Sequence, residues 1–420
     1  MIQSTWKNLV LIAGLAAPLA YGGALPDAAP LGQAKGVALT GHPAFTKQVD
    51  VTALVASEVH AFAVAPVLQD FQLFTQANSG SIIQTSDGGY AFTGSTTVLG
   101  DLDILLVKTD ALMNIQWAYA YGTTAEDTGV EVRATSEGGF MLAGQHFQNN
   151  NFDFYVVRTD PTGAYYWQGP YGGALQEYPA AMEVTPDGGC IIVGKTRNNV
   201  GYEDAYMMKF SATGSVQWSK PFSSGADGTY EFEGVANVPG GGYVAVGSKQ
   251  VRVTGGWETY GFIAKVSSTG ATSFQTTSGR FAYFTGVAAT STGYVAVGYI
   301  YRAGTFDAEF YTVRFNTTGG ALWTRTINAG TPGDYLSDVR IAGDGNYVIV
   351  GMITPSDSQR NLLVLKMDTS GNTLWSSFPY PSTWVTDGQS LAMTQDGGFV
   401  VSGGYSDGTT RYMLLSKFSP

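Results

Sequence analysis

Between Ser81 and Pro420 the chain returns seven times to one pattern: a Gly-rich turn, an aromatic or apolar residue, then a small-residue strand ending in Gly. The copies centre on Tyr90, Phe140, Cys190, Tyr243, Tyr294, Tyr347 and Phe399, 50 to 53 residues apart. A unit of that length cannot bury both faces of its own sheet, so successive copies must pack on one another. Filled with short strands, the period predicts an all-β chain, a seven-bladed β-propeller with four antiparallel strands per blade.

The first repeat shows the four strands, which we call A to D. Ser81 to Ser86 is a short apolar-rich run, and Asp87-Gly88-Gly89 is a tight turn supplying positive-φ positions. Tyr90 to Ser95 follows, then Asp103 to Thr109, apolar at both alternating positions as expected of an inner strand covered on both faces. A further short turn leads into Ile115 to Tyr121. Six D strands follow seven C strands, because Pro420 comes immediately after the seventh. Val67 to Phe74 has the character of the missing strand and is predicted to close the last blade, removing an edge that would otherwise template aggregation.

The domain reading is accordingly a secretory signal peptide over 1–24, a linker or short collar over 25–66, and the propeller over 67–420. Lys7 precedes an apolar stretch from Leu9 to Tyr21 that is short for a bilayer span and leads into small residues around Gly22 to Ala24. This predicts a secreted, periplasmic or cell-surface protein with no integral membrane span once the signal is removed. The single cysteine, Cys190, allows no intramolecular disulfide and fills a slot that Tyr or Phe holds elsewhere, which makes it a packing residue. A net charge of −11 excludes a phosphate-tracking nucleic-acid partner. Of three histidines only His146 lies in the repeats, so a His-rich zinc site or a Ser/His/Asp triad lacks partners; His146 reads as a loop residue.

The turns from Asp160 to Trp167 and from Asp368 to Trp375 resemble the Asp…Gly…Trp turns of quinoprotein propellers. That resemblance covers the turn alone, since those enzymes generally have eight blades, a calcium site and often paired cysteines. The turn is also similar to the Asp box of sialidases, but its Gly-to-Trp interval, as from Gly214 to Trp218, is one residue longer. No arginine triad accompanies it: Arg133, Arg158, Arg314 and Arg340 all fall in strands. Over Ser81 to Pro420 the whole pattern resembles a group of secreted bacterial and archaeal propellers that mostly lack an assigned activity. The resemblance implies the fold and transfers no catalytic residue.

Function is therefore expected where the repeats differ. The A-to-B and C-to-D turns are short and alike, whereas the D-to-A and B-to-C loops vary and share the opposite face. On that face stand Asp127, Glu177, Tyr178, Glu231, Tyr283, Asp334, Tyr335, Trp384 and Asp387, with Trp257 and Tyr260 from the longest B-to-C loop. Asp127, Glu177 and Asp334 share one offset, 13 residues before the central residue of their repeats (Phe140, Cys190 and Tyr347), and are expected to ring the channel mouth, where they would either cap turns or hold a calcium ion. No other cofactor is implied. Two function classes follow: a non-catalytic propeller binding a glycan or protein through the variable face, and a carbohydrate-active hydrolase or lyase using paired loop carboxylates. The first is favoured because no acid pair stands out from the repeat background.

Overall fold

In the computed structural model the described residues are 66, 68–74, 80–97, 101–222, 228–302, 304–305, 307–329, 333–356, 359–380 and 384–420. They form 28 β-strands and no helix. The strands assemble into an all-β propeller whose sheets each run from an inner A strand outward to D. Five sheets have four strands. The fifth and sixth repeats are fused instead into one eight-stranded sheet by a single parallel bridge, Ala308 to Gly333, where the backbones meet at a residue without a side chain.

The chain closes on itself as its strand count required. Leu68–Phe74 pairs antiparallel with Arg411–Phe418, opposing Phe71 to Ser416 and Phe74 to Met413; Val67 lies outside the described residues, as do the expected signal and nearly all of the expected collar over 1–66. Phe71 is buried edge-on against Tyr380 at 5.7 Å and Trp384 at 5.8 Å. Polar contacts tie the last repeat to the first, among them Ser402 Oγ donating to the Gly80 carbonyl at 2.8 Å and the Gln395 N–H donating to Gln84 Oε1 at 2.7 Å.

Apolar clusters lie between successive sheets, as with Ile104, Leu106 and Tyr121 of the first repeat against Val132, Phe140 and Leu142 of the second. The recurring motif is the hardware of that stacking. The turn acid binds the cation of the C strand, Asp87 to Lys108 at 2.8 Å, Asp187 to Lys209 at 2.9 Å and Asp344 to Lys366 at 2.7 Å. The first Asp of the C-to-D turn caps it, Asp160 Oδ1 accepting from the N–H groups of Thr162 and Ala164. Three of the indoles then reach the neighbouring repeat's turn: Trp167 donates to Ala212 O, Trp218 to Ser268 O and Trp323 to Thr369 O, at 3.0 to 3.1 Å. Arg158 and Arg314 hold the A-to-B turns of their own repeats, through Glu137 and through Thr290 and Thr292.

The B-to-C connections differ from the expected long loops. In the second repeat Asn149-Asn150 forms a two-residue turn with both φ positive, and in the fourth the hairpin strands run as Tyr243–Val253 and Gly256–Val266. Trp257 therefore sits in a strand opposite Arg252 rather than in an irregular segment.

Candidate functional site

One backbone device organises the centre of the disc. Six A strands carry a register shift at equivalent positions, leaving Val130, Ala180, Glu233, Thr285, Ser337 and Gln389 as extra residues. The Gly that ends each B strand makes room for this: a Cβ on Gly247 would lie 2.1 Å from Glu231 O, and on Gly298, 2.0 Å from Tyr283 O. All six bulged residues, with Gly80 and Ser81 of the first repeat, line an axial cavity of about 330 Å³.

Most charges in that cavity are matched. Glu131 pairs with Arg133 at 2.6 Å and accepts the Met182 N–H of the next repeat; Asp338 pairs with Arg340 at 3.2 Å and accepts the Leu391 N–H. Arg133 also reaches Glu183 at 3.1 Å. Glu233 is different. It is open to the cavity's own space yet ringed by protein, makes no hydrogen bond or ion pair among the described residues, and is pushed up to about 8 by burial, with the Glu231 charge adding to the effect.

Above the cavity, on the variable-loop side, lies a partly exposed rim. Tyr299 is its centre, stacked on Tyr283 at 4.9 Å and 11°, edge-on to Tyr335 at 4.9 Å and to Tyr301 at 5.6 Å. Beside the tyrosines, Lys195 bridges Glu203 at 2.9 Å and Glu231 at 3.3 Å, and sits 5.8 Å over the ring of Tyr178. Glu231 links the two regions, because its charge helps raise both the Tyr299 phenol and the Glu233 acid after burial itself. Tyr178, Glu231, Tyr283 and Tyr335, all expected on this face, occupy equivalent register positions one residue beyond those of Glu177, Tyr230, Ala282 and Asp334.

The expected acid ring is not an open mouth. Asp127, Glu177 and Asp334 are 0, 5 and 0% exposed. Asp127 accepts from Thr123 and lies 2.7 Å from His146 Nδ1; His146 is thus buried in a strand, not in a loop. Glu177 accepts from Thr196 and Gly173, and the Asp153 carboxyl beside it contributes, after burial, to raising it to about 7. Asp334 accepts from the Ala329 N–H. Each acid closes its own loop in its own repeat, so the three do not converge on one ion, and no group of three or more metal-ligand side chains occurs among the described residues. Asp103 faces Asp127 across Gly122 and is raised to about 7, chiefly by burial, with the Asp101 and Asp127 charges adding; its Oδ2 is buried without a partner.

Asp387 is held by Arg411 at 2.8 Å and by the Gly404 N–H at 2.9 Å. Trp384 is stacked on Tyr380 at 5.4 Å and packs on Phe71 and Tyr405, covering the core rather than offering a platform. Trp257 does present an exposed indole, 42% accessible and 6.0 Å from Tyr202. Tyr260 bonds Glu258, which also pairs with Arg280. Cys190 is fully buried among Met141, Ile192 and Phe210, which raises its thiol to about 12. Glu233, Lys195, Tyr299 and Tyr301 escaped the sequence reading. The available signal was the residue after each B-strand Gly, which varies as Ser95, Gln145, Lys195, Ser248, Tyr299, Met352 and Gly404.

No protein-family model matches this chain, and no curated protein matches it either. Among solved structures it is similar to a protein of unknown function from Dyadobacter fermentans DSM 18053 (11% identity, 84% of this chain and 99% of that one, TM-score 0.49). It is also similar to Sqt1 from Chaetomium thermophilum (10%, 85% and 99%, 0.48) and to puromycin hydrolase (15%, 81% and 52%, 0.46), about half of whose length it spans. Likenesses this distant leave function to be argued from the site.

Proposed function

We propose that the chain is a seven-bladed propeller, exported from the cell, that binds a glycan non-catalytically through the tyrosine-rich rim of its variable-loop face. The count of seven is supported by the axial cavity, which takes its lining from all seven repeats, and by treating the two halves of the eight-stranded sheet as separate blades. The single observation that carries the binding reading is the cluster of Tyr283, Tyr299, Tyr301 and Tyr335. These residues are partly buried, so packing holds the rings in place while each keeps some contact with solvent. A rigid aromatic surface flanked by polar side chains suits the alternately apolar and hydroxylated faces of a sugar ring. The hydrolase reading is weaker, because the loop carboxylate pairs Asp103/Asp127 and Asp153/Glu177 lie between packed strands, with Asp103, Asp127 and Glu177 no more than 5% exposed.

A glycan array followed by titration calorimetry tests this reading. Replacing Tyr299 and Tyr335 together by Ala should weaken the best array ligand at least tenfold, about 1.4 kcal/mol. Undiminished binding by that variant would move the site elsewhere, and a wild-type protein that binds no glycan but captures a protein partner would replace the ligand class. Export is tested by sequencing the N-terminus of mature material, which should begin near Tyr21 or Leu25; an intact Met1 on secreted protein would overturn it.

A further inference from the structure

We infer that the glycan bound at this rim carries a protonated amine, and that Glu233 on the disc axis is the carboxylate that receives it, which makes the ligand class an amino-sugar oligomer. This rests on the glycan reading above. The first support is the charge balance around the rim and cavity. Lys195 is committed to Glu203 and Glu231, and the remaining oxygen of Glu231 accepts from Ser248 at 2.8 Å. Deeper in the cavity Glu131 and Asp338 are held by Arg133 and Arg340. Glu233 alone among these acids makes no hydrogen bond or ion pair with a described residue. An anionic glycan would meet the Glu203 and Glu231 carboxylates against one lysine, whereas an ammonium group beside Glu233 favours the ionised form of that acid and pairs with it.

The second support is position. Glu233 is the extra residue of a bulge, between Phe232 and Gly234, so the backbone irregularity turns it toward the axis instead of into a sheet ladder. Glu233 lines the axial cavity and is exposed to its space, which keeps the side chain reachable by a ligand. The third support is the aromatic rim, since a ring that stacks on a sugar also attracts a cation held over its face. Glu231 and Tyr283 of the rim each stand two residues before a cavity-lining residue of the same strand, Glu233 and Thr285, so rim and cavity adjoin and one oligomer can span both.

The test is calorimetric titration of the full chain with a β-1,4-linked glucosamine tetramer and with its fully N-acetylated counterpart, alongside Glu233→Gln. We expect the amine-bearing tetramer to bind at least tenfold tighter than the acetylated one, and Glu233→Gln to reduce that preference to within about twofold while leaving the acetylated tetramer unaffected. Glutamine is nearly isosteric and Glu233 makes no bond that folding needs, so an unchanged melting curve should accompany the loss. Equal binding of both tetramers, or a preference that survives in the variant, overturns the inference. Binding of a neutral glycan with no response to either tetramer overturns it while sparing the proposed function; absence of binding to any glycan overturns both.

Discussion

Asp103→Asn should make the protein more stable at neutral pH, although it removes a charge from a chain whose repeats carry many ordered carboxylates. Asp103 is 2% exposed, faces Asp127 across Gly122, and has an oxygen with no hydrogen-bond partner. Burial, with the Asp101 and Asp127 charges adding to it, raises its carboxyl from 3.8 to about 7. Between those values the unfolded chain releases the proton and the folded chain keeps it, so stability falls as pH rises from about 4 to about 7. A separation of roughly three pH units, at about 1.4 kcal/mol each, puts the upper limit of that loss near 4 kcal/mol. Asn cannot ionise, and its amide can donate to the Asp127 carboxylate. Urea unfolding of both proteins from pH 4 to 8.5 should give curves that converge at the acid end and diverge toward neutrality, with the variant ahead by about 2 to 4 kcal/mol at pH 8. Parallel curves, or a variant that loses ground as pH rises, would refute the assignment of the pH-dependent loss to Asp103.

Phe71→Ala should cost about 3 to 5 kcal/mol in urea unfolding, because it empties the contact between the closing strand and Tyr380 and Trp384; an unchanged midpoint would mean that strand is dispensable. Gly214→Ala should destabilise more than Gly188→Ala. Both glycines have positive φ, but only at Gly214 would a Cβ lie 2.8 Å from the Trp167 ring, and equal melting temperatures would remove that ring from the stacking argument. Asp187→Asn should cost about 3 kcal/mol, since the Lys209 ammonium it neutralises is 1% exposed; thermal melts within 1 °C of wild type, roughly a few tenths of a kcal/mol, would show that Gln217 and the Phe210 carbonyl suffice. Trp384→Ala should lower the melting temperature while Trp257→Ala leaves it nearly unchanged, and the reverse order would exchange their roles.

The repeat spacing carried the all-β propeller reading because it depends on local chemistry. Glycines at positive φ, turn acids and alternating apolar runs act within a few residues of one another, so Asp87-Gly88-Gly89 and Asp160 to Trp167 are legible as turns in isolation. The deficit of one D strand was legible too, and the pairing of Leu68–Phe74 with Arg411–Phe418 answers it. Equal offsets likewise anticipated equivalent register for Asp127, Glu177 and Asp334. What offsets could not convey is burial: Asp127 meets His146 across its own sheet and Asp103 only once two sheets are stacked, and an acid that looks like a channel ligand becomes an enclosed loop clamp. The bulges were invisible for a related reason. Counting residues gives position along a strand, whereas the register shift at Glu233 is fixed by the neighbouring strand, where Gly247 leaves space for the Glu231 carbonyl. Tyr299 and Tyr335, 36 residues apart, meet because the fifth and sixth repeats bring the ends of their strands together around the axis. Local sequence thus determines the strands and turns, while the approach of one sheet to the next decides which side chains are clamped and which remain open to a ligand.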